Sequence, residues 1–266
     1  MKWLARATRR TARFVQPLVP REPGGVTILT YHLVGAGTQS PVDIALDVFV
    51  SQLNELRAGT EICSLAQAVS HLKNGTPCAR PFVALTFDDG FDNFRTHAWP
   101  VLAQLQIPCT LYVPVGFMEG TTRAPLTGAG TLRPMAWEAL RELASGELLT
   151  VGSHSWGHAD LRRLGVEELR RDLRLSRERL EERIHKPVND FCYPQAKWSF
   201  SVEAEVRQVY ETAVIAGGRR NVAARFHPHR LGRVPIRKDM PTGLEPVVQS
   251  TVWLEEWLAS HGRALG

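Results

Sequence analysis

Short apolar runs alternate with segments of helical hydrophobic spacing along most of this chain. Apolar runs of four to six residues are typical of buried β-strands, and apolar residues recurring every three or four positions are typical of amphipathic helices. The predicted strands are residues 26–31, 82–87, 109–113, 148–151, 190–193 and 213–216. The predicted helices are residues 49–56, 65–72, 98–105, 135–144, 166–184 and 253–259. Residues 116–134, rich in Gly, Thr and Pro, show neither period and are predicted to form a long loop.

The order of these elements predicts the fold class. Strands that alternate with helices pair in parallel in α/β proteins, and the sequence has no glycine-rich phosphate loop of the kind that favours a doubly wound sheet. We therefore expect a parallel α/β barrel that forms a single domain over residues 26–266. The polar side chains that follow predicted strands are those of His32, Asp88, Asp89, His154 and His158. In such barrels the carboxyl ends of the strands carry the active site.

Composition excludes some classes of protein. With 44% hydrophobic and 22% charged residues, the 266-residue chain has the composition of a soluble globular protein. No stretch approaches the roughly 18 apolar residues needed to cross a bilayer. The four cysteines, Cys63, Cys78, Cys109 and Cys192, form no CxxC pair. We expect buried or free reduced thiols, as in a cytosolic protein, and neither a cysteine zinc site nor a disulfide framework.

The net charge of +5 lies in an N-terminal arm, residues 1–25, which holds six basic residues and one acidic residue. The rest of the chain balances to zero, so we expect no nucleic-acid partner. On a helical projection the apolar residues of the arm, including Trp3, Phe14 and Leu18, fall on one side and its arginines on the other. Because arginines interrupt the apolar residues, the arm does not fit a secretory signal.

Three interpretations of the arm stay open. A basic amphipathic helix can rest on an anionic membrane surface through residues 1–20. The protein would then be cytoplasmic and peripheral at the inner face of the membrane. The same apolar stripe can instead pack on the barrel. An Arg-rich start that almost lacks acidic residues is also typical of an organelle transit peptide.

The strand-end residues point to a metal site. His154 and His158 are four apart, so both imidazoles would lie on one face if a helix starts there. With one aspartate they form a two-histidine, one-carboxylate set, which suits Zn²⁺ and also fits Fe²⁺ or another divalent transition metal. Residues 82–90 (FVALTFDDG) place two aspartates at a strand end, and adjacent strand residues point to opposite faces. One aspartate can therefore bind the ion while the other takes a proton from water.

These motifs carry a family resemblance. TFDDG together with HSWGH resembles the NodB-homology polysaccharide deacetylases, which are metal-dependent carbohydrate esterases. The resemblance continues through the YH after the first strand, MAWEALRELA and FCYPQA, and covers roughly residues 26–237. It implies a distorted (β/α) barrel of about seven strands. It also implies that Asp88 is the general base and that Asp89, His154 and His158 bind the metal.

The FCYPQA segment resembles the family motif that lines the substrate groove. The resemblance implies that the backbone amide of Gln195 helps to hold the oxyanion. Tyr193 is a candidate for stacking on a sugar, although an aromatic residue beside a proline is more often part of a core. Cys192 stands where the family often has arginine, and Ala196 where it often has glycine. Both departures predict a remodelled groove.

Three further histidines have open roles. The late histidine that serves the family as general acid has no clear counterpart in this sequence. The nearest residues in order are His227 and His229, which can also be simply two histidines of a surface loop. His32 follows the first strand and is either a contact of the site or a structural histidine.

We therefore expect a Zn²⁺-dependent hydrolase that removes an N-acyl group, above all acetyl, from an amino sugar in a glycan or lipid-linked glycan precursor. Two alternatives stay open. An amidase acting on a small non-sugar C–N substrate would have a short, closed pocket. A catalytically inactive barrel that binds glycan or membrane would have little reason to keep all three metal ligands.

Overall fold

The computed structural model describes residues 25–75, 80–125, 132–240, 243–250 and 254. Its strands are β1 (Val26–Tyr31), β2 (Leu33–Val34), β3 (Asp43–Ile44), β4 (Glu61–Cys63), β5 (Phe82–Asp88), β6 (Cys109–Val113), β7 (Leu149–Ser153), β8 (Asp190–Cys192), β9 (Thr212–Ala216) and β10 (Leu231–Pro235). Its α-helices are α1 (Leu46–Gly59), α2 (Leu65–Asn74), α3 (Trp99–Gln104), α4 (Val115–Met118), α5 (Trp137–Ser145), α6 (Val166–Ile184), α7 (Phe200–Val209) and α8 (Glu245–Gln249). A π-helical turn, Phe94–Ala98, precedes α3.

Seven parallel strands close into a barrel in the ring order β1, β10, β9, β8, β7, β6 and β5, and β5 pairs back with β1. Two irregularities distort this ring. The short strand β4 pairs with the start of β5, and β6 pairs with β5 only from Leu85 onward. β7 and β8 meet at a single residue pair, Ser153 and Phe191. The single-domain, distorted (β/α) barrel of about seven strands that the sequence predicts is confirmed.

Strands and helices differ in which faces they bury. Every residue of β1 and of β6 is buried, because helices cover the outside of the ring while side chains fill its interior. In α6 the predicted stripe of Leu169, Leu173, Leu180 and Ile184 is buried against the barrel. Its outward face carries the i,i+4 ion pairs Arg174–Glu178 and Arg177–Glu181. The sequence predictions for these three elements are confirmed, with their bounds.

Other predictions differ from the structure. The helix predicted at 49–56 is longer at both ends, and neither α7 nor β10 is among the predicted elements. The β10 sequence LGRVP contains Gly232 and Pro235, which lower strand propensity and hide the strand in the sequence pattern. The predicted helix at 253–259 and the N-terminal arm up to residue 24 lie outside the described residues, apart from Leu254.

The cysteines and the helix lengths bear on two expectations drawn from composition. Cys63, Cys109 and Cys192 are free and buried, as expected, and Cys78 lies outside the described residues. None of the helices in the described part of the chain is long and apolar enough to cross a bilayer.

Candidate metal centre

A cleft of about 360 Å³ opens at the carboxyl ends of the strands. This volume lies at the lower end of the range of small-molecule sites, about 300–1,000 Å³. The rim residues that the sequence singles out all line it: His32, Asp88, Asp89, His154 and His158. The barrel therefore brings together side chains that are separated by up to 126 positions in the sequence.

The two aspartates face different parts of the cleft because the chain turns sharply between them. Asp88 is the last residue of β5 and continues its extended course. Asp89 has a φ of 79° and Gly90 a φ of 65°, both in the left-handed region. For a residue other than glycine this conformation costs of order 1–3 kcal/mol, and it is common at functional sites. The turn directs the Asp89 carboxylate toward the histidines that follow β7, the second strand along the ring from β5.

Asp89, His154 and His158 have the geometry of a shared metal site. Asp89 Oδ1 lies 3.7 Å from Nε2 of His154 and 3.7 Å from Nε2 of His158. One donor atom from each residue lies within 4.8 Å of the other two. Ligand atoms about 2 Å from one ion have separations of this size. The three donor atoms predicted from the sequence are therefore close enough to bind one ion.

His154 is held in the tautomer that a metal ligand needs. Its Nδ1 lies 2.9 Å from the carbonyl oxygen of Cys192, so Nδ1–H donates to that oxygen. Nε2 then carries the lone pair and faces Asp89. The backbone amide of His154 donates to Val113 O at 3.0 Å, which fixes the start of the segment.

His158 reaches the site by an irregular turn, so the condition of the i,i+4 argument, a helix that starts at HSWGH, is not met. Ser155 and His158 both have left-handed φ values, 65° and 51°, and the His158 amide donates to Ser155 Oγ at 2.9 Å. Asp172 of α6 accepts from the amides of Trp156 at 3.0 Å and Gly157 at 3.4 Å. These side chains accept from amides that would otherwise bond within a helix.

Asp88 is bound by an arginine from β10, which is separated from β5 in the ring only by β1. Arg233 of β10 is 2% exposed, and its Nη1 and Nη2 donate to Asp88 Oδ1 and Oδ2, each at 2.7 Å. Nη1 also lies 2.9 Å from Thr30 Oγ1 and 3.0 Å from Thr86 Oγ1. Burial by itself would raise the pKa of Asp88, but the charge and hydrogen bonds of Arg233 hold it well below its usual range. Asp88 is therefore an ionised carboxylate at neutral pH.

The charges of the other residues suit a divalent cation. Burial lowers the pKa of His154 to about 4 and that of His158 to about 3, so both imidazoles are neutral, as metal ligands must be. Burial, reinforced by the charge of Asp88, raises the pKa of Asp89. Arg233 balances Asp88, whereas Asp89 has no cationic side chain of its own among the described residues. A divalent ion would supply that charge, so the donor set fits the metal that the sequence predicts.

A second group of donors overlaps with this set. Asp88, His154 and Cys192 also offer ligand atoms within 4.8 Å of one another. Both oxygens of Asp88 are bound by Arg233, and burial raises the pKa of Cys192, which disfavours the thiolate that a metal requires. The set that contains Asp89 is therefore the better metal site.

His32 lies beside the proposed base. Its Nε2 is 3.8 Å from Asp88 Oδ2, and its side chain is 19% exposed to the cleft. Burial lowers the pKa of His32 to about 4, although the charge of Asp88 opposes this shift. Its Nδ1 has no hydrogen-bond partner within the described part of the chain. Of the two roles that the sequence leaves open for His32, this position favours a contact of the site.

The segment after β8 forms a tight turn at the cleft. Tyr193 is 1% exposed, and its hydroxyl donates to His229 O at 3.1 Å. Its ring lines the cleft and packs in the core. Gln195 and Ala196 have left-handed φ values of 56° and 54°. Gln195 is exposed and its Nε2 donates to His158 O at 3.1 Å. Its backbone amide bonds to no acceptor in the described ranges, unlike those of Ala196 and Lys197.

His227 and His229 do not reach the cleft. His227 Nε2 lies 3.5 Å from Glu203 Oε1 and 2.7 Å from Arg207 Nη2. His229 Nε2 lies 3.0 Å from Tyr210 O, behind Tyr193. Neither histidine lines the cleft, so the structure does not bring the late candidates for the general acid to the site.

Comparisons with known proteins agree with this architecture. Residues 76–214, more than half of the chain, match the family model for polysaccharide deacetylase. Over 145 residues the chain is 28% identical to the poly-beta-1,6-N-acetyl-D-glucosamine N-deacetylase of Escherichia coli (strain K12). The match covers 52% of this chain and 21% of that protein, so this chain spans about a fifth of the curated relative.

The fold is also similar to solved structures of deacetylases. The Streptococcus pyogenes deacetylase PplD in complex with acetate has a TM-score of 0.71 and 21% identity, over 86% of this chain and 99% of that chain. IcaB from Ammonifex degensii has a TM-score of 0.69 and 23% identity, over 81% of this chain and 93% of that chain. At these identities the likeness shows a common barrel fold.

Proposed function

Because the chain belongs to the polysaccharide deacetylase family, we propose that it is a metal-dependent hydrolase that removes an N-acyl group, above all acetyl, from an amino sugar. Deacetylases of this family depend on a metal ion. The observation that carries the proposal is the convergence of Asp89, His154 and His158 beside the ionised carboxylate of Asp88. Two imidazoles and one carboxylate suit Zn²⁺.

In the proposed reaction the metal ligands and the base have separate tasks. Asp89, His154 and His158 would hold a Zn²⁺ ion, which would lower the pKa of bound water toward ~7 and polarise a carbonyl. Asp88 takes the proton of the attacking water. Arg233 keeps Asp88 ionised and fixes the orientation of its carboxylate. The amide of Gln195 donates to the oxygen that becomes negative when the acyl carbon turns tetrahedral.

The leaving amine needs a proton, and His32 is placed to supply it. In the described part of the chain, His32 is the cleft's one histidine outside the proposed ligand set. Its Nε2 is 3.8 Å from Asp88 Oδ2, which is beyond hydrogen-bond distance. The relay we propose, from water to Asp88, then to His32 and on to the amine nitrogen, therefore requires the imidazole to move closer to Asp88 during the reaction. Positions 227 and 229 are not needed for this step.

The substrate we propose is an N-acetylated amino sugar in a glycan or in a lipid-linked glycan precursor. The Escherichia coli relative is named for a poly-N-acetyl-D-glucosamine, which supports this class. The basic, apolar-striped sequence of residues 1–20 supports a peripheral contact with an anionic membrane, and hence a position at the cytoplasmic face. The presence of all three ligands together with a base argues against an inactive barrel.

The experiment that tests the proposed function measures acetate release from N-acetylglucosamine oligosaccharides by the Zn²⁺-loaded protein. Asp88→Asn should lower kcat by about 10²-fold or more, because the amide cannot accept the proton, while the bound Zn²⁺ per chain stays the same. Asp92→Asn is the matched control, since Asp92 is a partly exposed carboxylate paired with Arg95. Turnover by Asp88→Asn at the wild-type rate would contradict the assignment of the base. No acetate release by the wild-type protein from any such sugar would contradict the function.

A further inference from the structure

The guanidinium of Arg233, which binds Asp88, is itself held along its edge by hydrogen bonds. Besides Asp88, its Nη1 atom has the hydroxyls of Thr30 and Thr86 within 3.0 Å. Its Nη2 atom is bound to Asp88 and lies 2.9 Å from Cys192 Sγ. The N–H bonds of a guanidinium lie in its plane, so these acceptors hold its edge. They do not prevent the group from tilting, which depends on the side chains that pack on its faces.

Tyr112 of β6 packs on one of these faces. The Cζ atom of Arg233 lies over the Tyr112 ring, 5.4 Å from the ring centre. A guanidinium within about 6 Å of the centre of an aromatic ring is attracted to the ring's π-electrons, and the attraction grows when both groups are desolvated. Tyr112 is 0% exposed and Arg233 is 2% exposed. Water therefore does not weaken this contact.

The strand register places the Tyr112 ring next to the proposed base. Tyr112 is paired with Asp88 on β5 and with Gly152 on β7, so the three residues form a row across neighbouring strands. Tyr112 also belongs to the buried cluster that contains Ile28 and Cys192. The ring, the carboxylate and the guanidinium thus meet in the interior of the barrel.

Gly152 leaves the space that the Tyr112 ring occupies. A Cβ atom at position 152 would lie 2.5 Å from both Cδ1 and Cε1 of Tyr112 and 3.0 Å from the carbonyl oxygen of Asp190. No side chain can be accommodated at 152 with the ring in this place. Because the ring lies directly against the backbone of β7, its position is fixed by the strand.

The hydroxyl of Tyr112 takes no part in this arrangement. It is buried and has no hydrogen-bond partner among the described residues. A buried hydroxyl without a partner does not stabilise the fold. The contact with Arg233 is therefore made by the aromatic ring, and phenylalanine could make it equally well.

We propose that Tyr112 is a positioning residue of the deacetylation reaction. Its ring supports the guanidinium of Arg233, so that both Nη atoms stay aligned with the carboxylate of Asp88. Without the ring the guanidinium can tilt, and the carboxylate loses its fixed orientation toward the attacking water. This inference rests on the proposed function, because it takes Asp88 as the base.

NMR of the Zn²⁺-loaded full-length protein, labelled with ¹⁵N-arginine, tests the contact without any turnover. The Nη–H signals of a guanidinium are resolved only when its rotation is hindered, and Arg233→Lys identifies those of Arg233. We expect resolved signals in the wild-type protein and in Tyr112→Phe, and their loss in Tyr112→Leu. If Tyr112→Leu does not fold, Tyr112→Met, which has an unbranched aliphatic side chain, takes its place. This measurement decides whether the ring holds Arg233 even if no sugar is deacetylated.

Acetate release from N-acetylglucosamine oligosaccharides tests the consequence for the reaction. Tyr112→Leu should lower kcat about tenfold, while KM and the bound Zn²⁺ per chain stay the same, because orientation of the base matters only for the chemical step. Tyr112→Phe should keep kcat within about twofold, since the ring remains. Phe49→Leu is the matched control. It removes a buried ring of α1 that packs against Tyr31, and it should lower stability but not kcat.

Four outcomes would overturn the proposal. One is resolved Arg233 signals in the aliphatic variant, and another is loss of these signals with unchanged kcat. Equal losses in Tyr112→Phe and Tyr112→Leu would assign the effect to the hydroxyl. A parallel loss of bound Zn²⁺ in Tyr112→Leu would show that Tyr112 only maintains the packing of the strand ends.

Discussion

Arg233 holds the proposed base from a strand that the sequence pattern does not reveal. The family often has an arginine at the position of Cys192, and here the Cys192 thiol lies 2.9 Å from Arg233 Nη2. The small thiol leaves room for the guanidinium to reach Asp88 from β10. The sequence shows that an arginine is missing from FCYPQA, but not that a residue 41 positions later takes that place. The contact between Arg233 and Asp88 depends on the closure of the barrel, which brings β10 close to β5.

Asp172 is a second residue whose role follows from contacts alone. It accepts from two backbone amides of the turn that joins His154 and His158. Asp172→Asn replaces one acceptor oxygen with an NH₂ group that faces an amide N–H. We expect Zn²⁺ binding to weaken roughly tenfold, because residues that orient metal ligands typically contribute 10- to 100-fold to affinity.

Competition for Zn²⁺ with a chromophoric chelator measures this effect. Glu178→Gln is the matched control, since Glu178 is an acidic residue on the exposed face of the same helix. Equal Zn²⁺ dissociation constants for Asp172→Asn and the control would show that Asp172 does not position the histidines.

At the scale of elements, hydrophobic spacing predicts the helices and strands whose structure is decided by the burial of apolar residues. β1, β6 and α6 match their predicted bounds because each has a mostly apolar run or stripe that is buried along its whole length. The turn from 154 to 158 could not be predicted in this way. Its course is set by left-handed residues and by side-chain acceptors, Ser155 and Asp172, that have no periodic signature.

The N-terminal arm is the element whose role rests on sequence alone. Deleting residues 1–24 should abolish co-sedimentation with vesicles that contain phosphatidylglycerol, because the deletion removes all six basic residues of the arm and its apolar stripe. Deacetylation of a soluble oligosaccharide should be unchanged. Neutral phosphatidylcholine vesicles serve as the control. If the truncated protein sediments with anionic vesicles as the full chain does, the arm is not the membrane contact.

At the scale of the whole molecule, barrel closure turns separate motifs into one site. β1 lies between β5 and β10, so Thr30 and Thr86 stand side by side and both meet the guanidinium of Arg233. The same pairing brings His32, at the end of β1, next to Asp88. The sequence supplies the residue types and their order, and the metal ligands could be predicted from these. The order of strands around the ring decides which other side chains meet them.

The central claim is that one cation binds Asp89, His154 and His158 while Asp88 stays off the ion. Crystals of the Zn²⁺-loaded full-length protein, measured on both sides of the zinc absorption edge, test it directly. We predict a single anomalous peak in contact with Asp89 Oδ1 and the Nε2 atoms of both histidines, with Asp88 still bound by Arg233. A peak bound by Asp88, His154 and Cys192, or no zinc peak at the carboxyl ends of the strands, would contradict the account.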